Sequence, residues 1–397
     1  MSMKKLSKKM LAVVAAGAMT MGLAMPAFAG DGATTTPDTT NNAKEAYIKK
    51  TYNTEVKKEM TFTFAATQVK EASRDDLVKK DLTCNIPNIK FEASDFASES
   101  GTYTKLSDKI TFGEFPEAGK YEYTVTETAS DPVIPTTSEH EKLIMSGAEY
   151  KMDVYVVEKS GKLEIDKILV TKTKNDQGNP DSETGKVDVG NDLSKNGFEF
   201  VNTYAQEAGT GTDPVDPGKD PDVDYDNNGS LKVSKTIDAQ GETPSSSASF
   251  KFTATFAFPK GTDETTLGAK AGENTLTLTG GTYTFNLKHN ESLKFTGLPV
   301  GTKITVTEAG AANYKASAKV FLNGVEKTPA PAASKYNELL KAVDQEKLGQ
   351  NKNTVDVTNT YNHVPTTGII MNTLPYVLMI ALCGAALFGF VAFKRRR

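Results

Sequence analysis

Between residues 45 and 362 apolar and polar positions alternate with the two-residue period of a β-strand. The clearest runs are Tyr121–Thr126, Lys151–Val157, Lys162–Lys172, Ser249–Phe258, Gly281–Leu287 and Lys303–Thr307. They are rich in β-branched and aromatic residues, and Gly, Pro, Asn and Asp separate them, so each is predicted to be a strand. A helical period is scarce. It shows best over Ser334–Gln345, where Tyr336, Leu339, Leu340 and Val343 fall at i, i+3, i+4 and i+7. The expected fold class is all-β: two tandem immunoglobulin-like sandwiches, with that helix in a late loop of the second.

Two apolar runs break this alternation, one at each end. Residues 1–29 carry Lys4, Lys5, Lys8 and Lys9, then a small apolar stretch from Met10 to Met25, then Ala27-Phe28-Ala29, the layout of a cleaved signal peptide. Residues 369–393 form an apolar run of about 25 residues, long enough to cross a bilayer. The basic cluster Lys394 to Arg397 follows it and is expected to stay in the cytoplasm. Just before the run stands Val364-Pro365-Thr366-Thr367-Gly368, which Pro365 keeps extended and Gly368 leaves flexible.

This three-part ending resembles the cell-wall sorting signal of Gram-positive surface proteins, with Val364 in the place of the usual Leu. The resemblance implies that a sortase cysteine attacks the Thr367 carbonyl, releases Gly368 onward and passes Thr367 to an amine. Val364 favours a dedicated pilus-type sortase over the general one. The plain alternative is a simple membrane anchor.

Composition sets further bounds. The whole chain carries 46 Lys and Arg against 50 Asp and Glu. Without the eight basic residues of leader and tail, 38 face 50, a net charge near −12. Such acidity argues against nucleic acid as a partner. Cys383 lies in the discarded run, which leaves Cys84 as the single mature cysteine, expected to be an apolar filler rather than a reactive thiol. No internal disulfide can form, so durability outside the cell has to come from elsewhere.

Residues 30–44 are rich in Thr, Asp and Asn and read as a flexible lead. Residues 205–228 hold the Pro/Asp-rich stretch 212–224 and read as an extended, solvated linker. Asp222, Asp224 and Asp226 imitate a calcium loop, but the glycine is misplaced and Val233 stands where the loop needs Glu. The linker divides residues 45–204 from residues 229–362.

The two halves repeat each other at three places. Each opens on a strand bearing a lysine, Ala46–Tyr52 with Lys50 and Leu231–Ile237 with Lys235. Each then has a strand ending Val-Thr-Glu, at Glu127 and Glu308, and each closes on Asn-Thr-Tyr, at Asn202 and Asn359. Residues two apart share a strand face. Lys50 therefore lies with Ala46, Ile48 and Tyr52, Glu127 with Tyr121, Tyr123 and Val125, and Asn202 with Phe198, Phe200 and Tyr204. The second half follows suit, and all six polar groups fall on apolar faces. Burying any one alone costs several kcal/mol, so lysine, carboxyl and amide are expected to meet. Desolvation then lowers the lysine and raises the glutamate, so a neutral amine can attack an amide that a protonated carboxyl activates. The product is a Lys–Asn isopeptide bond and ammonia.

Here the chain resembles the isopeptide-containing major pilins of Gram-positive bacteria, particularly the streptococcal T-antigen type. The resemblance implies bond-forming Lys50 and Asn202 with catalytic Glu127, and Lys235 and Asn359 with catalytic Glu308. A hydrogen-bonded polar cluster without a covalent link is the alternative at each site. The resemblance also places the intersubunit acceptor shortly before the first closing Asn, where Lys195 stands; Lys352 holds the equivalent offset in the second half. The role expected is a structural shaft subunit rather than an enzyme, needing no cofactor or metal. Its expected partners are sortase, identical subunits head to tail, peptidoglycan or a basal pilin, and a host surface ligand. A wall-anchored adhesin or minor pilin is the second reading. His140, His289 and His363 show no metal spacing and no nucleophile signature.

Overall fold

The computed structural model describes residues 43–180, 185–217, 223–328 and 330–362. The expected leader, sortase motif, membrane segment and basic tail lie outside the described residues, as does all of the expected lead before residue 43.

The first sandwich is built from β1 (Lys49–Asn53), β2 (Met60–Val69), β3 (Ile89–Phe91), β4 (Thr102–Leu106), β5 (Gly119–Asp131), β6 (Glu141–Ile144), β7 (Glu149–Lys159), β8 (Lys162–Lys174) and β9 (Glu199–Gln206). One sheet has the order β4-β1-β9-β6. The facing sheet runs β8-β7-β5-β2-β3, with a short strand at Lys186–Val187 on its β8 edge. Alternation explains the layers. In β2, Met60, Phe62 and Phe64 point inward while Thr61 and Thr63 are half-buried. Tyr52, Phe62, Phe91, Phe96 and Tyr103 meet mainly edge to face in one end of the core.

The second sandwich is built from β10 (Leu231–Asp238), β11 (Ser249–Ala257), β12 (Thr282–Lys288), β13 (Ser292–Thr296), β14 (Lys303–Glu308), β15 (Tyr314–Leu322), β16 (Leu340–Lys347) and β17 (Thr354–Tyr361). Its sheets contain β13-β10-β17-β15, extended at both edges by two-residue strands, and β12-β11-β14-β16. Phe250, Phe252, Ala254 and Phe256 form the inward face of β11. The predicted strands are all present, some longer than expected: the run at Tyr121–Thr126 belongs to a strand spanning Gly119–Asp131.

In both sandwiches the first and last strands are parallel neighbours, β1 with β9 and β10 with β17. Each closing strand therefore runs in the direction of the opening one. β9 leads straight into the second sandwich, and β17 runs away from the joint.

Two expectations are corrected. No helix covers Ser334–Gln345; residues 335–338 turn and Leu340–Lys347 is a strand paired with β14. Register shifts in that pairing bring both Ala342 and Val343 inside along with Leu340, which imitates a helical spacing. Tyr336 and Leu339 stay exposed.

The stretch 205–228 is also not an extended, solvated linker throughout. Ala208 N, Gly209 N and Gly211 N donate to the carbonyls of Leu298, Gly349 and Gln350, and residues 205–211 are buried. Within it Glu207 joins the two sandwiches. Its Oε1 accepts from Tyr225 OH at 2.6 Å, Ser230 Oγ at 2.6 Å and Gly297 N at 2.5 Å, while Oε2 lies 2.7 Å from His140 Nδ1. A buried carboxylate needs such partners, and both sandwiches supply them. Across the same joint Lys347 Nζ meets Glu55 Oε2 at 2.8 Å.

Candidate functional site

Lys50 and Asn202 come from neighbouring parallel strands, and register fixes their relation. Lys50 pairs with Phe200 and Tyr52 with Asn202, so Asn202 stands two residues further along on the same buried face. Glu127 reaches them from β5 in the opposite sheet. Lys50 Nζ lies 2.6 Å from Glu127 Oε1, and both side chains are fully enclosed. The contact is close but poorly directed, since neither atom makes a hydrogen bond. Asn202 Nδ2 lies 3.3 Å from Met145 Sδ.

The second half repeats the plan. Lys235 pairs with Val357 and Ile237 with Asn359, the same offset. Lys235 Nζ donates to Glu308 Oε2 at 2.9 Å, and Asn359 Nδ2 donates to Glu308 Oε1 at 2.5 Å. All three side chains are buried. Each predicted trio is thus brought together.

Electrostatics follow from the missing water. Burial pushes the Lys50 ammonium down to about 8, with Glu127 pulling the other way. Burial pushes Lys235 down to about 8 as well, against Glu308. Glu127 and Glu308 are both raised by burial, with their lysines opposing. Burial thus moves the two partners toward each other, the direction that eases transfer of a proton from ammonium to carboxylate.

Periodicity did not single out the rings that cover the lysines. Lys50 Nζ sits 4.3 Å from the Phe62 ring centroid and Lys235 Nζ 4.4 Å from that of Phe250. Phe64 and Phe252, two residues on, pair with Glu127 and Glu308 across the sheet. The shared Phe-x-Phe of β2 and β11 was the available signal. These rings exclude water and favour the cationic form only weakly.

The activating bond expected from the carboxyl to the amide oxygen is not the one seen. Asn202 Oδ1 accepts from Ser146 N at 2.7 Å, and in the second site the leaving nitrogen of Asn359 faces Glu308.

Elsewhere, Lys195 extends into solvent, with Asp192 at 3.3 Å. Lys352 Nζ rests 4.4 Å from the Phe321 ring centroid, and its carbonyl accepts from Gly324 N. Cys84 is half-buried against the core, and burial pushes its thiol up to about 12, as suits a filler.

Fold and trios together define an all-β protein of two sandwiches, each burying a Lys–Glu–Asn cluster. Residues 46–205 match the family model described as the Spy0128-like isopeptide containing domain. Residues 229–361 match a domain of unknown function, DUF7601. A curated protein described as a pilin, from Streptococcus pyogenes serotype M1, is 33% identical over 127 residues, which is 32% of this chain and 36% of that relative. The matched part thus spans about a third of the relative's length. The crystal structure of the major pilin from Streptococcus pyogenes overlaps with a TM-score of 0.32 at 19% identity, covering 81% of this chain and 99% of that one. The T-13 major pilin protein of Streptococcus pyogenes gives 0.29 at 16% identity, covering 81% and 98%.

Proposed function

We propose that the chain is the shaft subunit of a covalently polymerised, wall-anchored pilus, and that each sandwich closes an internal isopeptide bond. The observation that carries this reading is the duplicated buried trio: Lys50 Nζ at 2.6 Å from Glu127, Lys235 Nζ at 2.9 Å from Glu308, each with an asparagine at the same strand offset.

The chemistry follows from these positions. The lone pair of neutral Lys50 Nζ adds to Asn202 Cγ, and the C=O electrons move to Oδ1. Glu127, protonated in the reactive pair, gives its proton to Nδ2 and takes one from Nζ in exchange. As the carbonyl reforms, the Cγ–Nδ2 bond breaks and ammonia departs. Lys235, Asn359 and Glu308 perform the same exchange. Each bond ties the first strand to the last, so tension entering at one pole leaves at the other without loading the hydrogen bonds between them.

Sortase would join Thr367 of one subunit to Lys195 of the next. Strand direction supports that choice over Lys352. Lys195 precedes β9 at the end remote from the joint, roughly 20–25 Å from it along the strand. Lys352 precedes β17 beside the joint, where Gln350 O accepts from Gly211 N. Tyr361 ends β17 at the other pole, so head-to-tail stacking brings residue 367 to the Lys195 end of its neighbour. Immunoblots of wall extracts test the reading. A high-mass ladder that disappears in Lys195→Ala and persists in Lys352→Ala is expected; a single wall-linked band in the unaltered strain would instead make the chain an adhesin or minor pilin.

A further inference from the structure

The two trios differ at the amide oxygen on which charge develops. Asn359 Oδ1 is buried with no hydrogen-bond partner. Asn202 Oδ1 accepts from the main-chain N–H of Ser146 at 2.7 Å. The same nitrogen lies 3.2 Å from Glu127 Oε2.

Ser146 belongs to the turn between β6 and β7, and several bonds fix it. Asp176, in the turn after β8, accepts at Oδ1 from Ser146 Oγ at 2.5 Å and from Val201 N at 2.9 Å. Val201 is the neighbour of Asn202, so one carboxylate ties the donor's own residue to the acceptor's strand. The Asp176 carbonyl accepts from Gly147 N at 2.7 Å. A Cβ at position 147 would stand 2.7 Å from Gly178 N, so only glycine lets the two turns approach this closely. Lys172 Nζ, 3.5 Å from Asp176 Oδ2, balances the carboxylate.

We propose that the Ser146 N–H is an oxyanion donor for the Lys50–Asn202 condensation, that Asp176 is the positioning residue that aims it, and that the first site therefore closes faster than the second. The inference rests on the condensation proposed above. As Nζ adds to Cγ, the electron pair arriving on Oδ1 finds a donor already in place and shielded from water, where it counts most. The proton leaves Nζ through Glu127 and departs with Nδ2 as ammonia, so the donor itself is unchanged. At the second site Glu308 has to work without such help.

The test is a time course of cell-free synthesis of the full chain, with the two cross-linked peptides resolved by mass spectrometry and folding followed in parallel by circular dichroism. In the unaltered chain the Lys50–Asn202 peptide should appear first. Ser146→Pro, which lacks the N–H, should slow it roughly 100-fold, and Asp176→Ala about tenfold, while folding keeps its rate. Asp176→Asn keeps both acceptor contacts and should restore closure. If Ser146→Pro does not fold, Asp176→Ala and its rescue by Asn carry the test. First-site closure at the unaltered rate in both Ser146→Pro and Asp176→Ala, or a second site closing as fast as the first, overturns the proposal. Absence of both cross-linked peptides from the unaltered chain sinks the condensation as well, so the two failures are told apart.

Discussion

Asn202 stands across from Tyr52 in the parallel β1–β9 pair, two residues beyond Lys50 on one buried face; Asn359 stands across from Ile237 in the same relation to Lys235. A link there closes a loop of about 150 residues in the first sandwich, which the loop-entropy relation values on the order of 5 kcal/mol. Asn202→Ala should therefore lower the unfolding free energy by roughly that amount, read from denaturant titration. An unchanged midpoint would mean that no link was there to lose.

Glu127 lies against Lys50 and Glu308 against Lys235, so under the proposed condensation each carboxyl would serve its own sandwich. Glu127→Gln keeps the shape but cannot relay a proton, and should slow its own bond roughly 10²–10⁴-fold. Peptide mapping of Glu127→Gln should then find the second link intact and the first missing. Loss of both links in either single variant would show that the sites are not independent.

The pH profile follows from the shared proton. The ion pair Lys⁺/Glu⁻ and the reactive pair Lys⁰/GluH hold the same number of protons, so closure should be flat across neutral pH. Above about 8, where the lowered lysines lose their proton, the acid is no longer replenished and the rate should fall about tenfold per pH unit. Initial rates of ammonia release from pH 6 to about 10 check this. A rate that keeps climbing past 9 would show that only the free amine matters.

The joint has a pH dependence of its own. The Glu207 hydrogen bond raises His140 above its usual value, with Glu139 adding to the effect and Tyr225 packed on the ring at 5.0 Å. A raised histidine contributes stability fully below its unfolded value near 6.5, and that contribution is lost as pH rises through the folded value. Glu207→Gln should cost roughly 2–3 kcal/mol at mildly acidic pH and less at alkaline pH. Thermal melts of both forms across pH 5 to 9 read the difference, and a gap that widens as pH rises would contradict the assignment.

Much of the site was legible because strand geometry is local. A period of two put Lys50, Glu127 and Asn202 on apolar faces, and the repeat at Lys235, Glu308 and Asn359 made coincidence a poor explanation. What escaped is tertiary. Ser146 and Asp176 lie in turns 30 residues apart and act through a main-chain N–H that every non-proline residue possesses. His140 looked idle because its partner, Glu207, sits 67 residues away in a stretch whose later Pro/Asp composition suggested solvent. The false helix at 334–345 arose where a strand irregularity copies helical spacing.

The most direct measurement is the intact mass of the mature chain purified from the wall-deficient secreted form. Two internal bonds require a mass short of the sequence by two ammonia molecules, falling to one in Lys50→Ala and to one in Lys235→Ala. A mass equal to that of the unmodified sequence would leave two buried ion clusters and no covalent fibre.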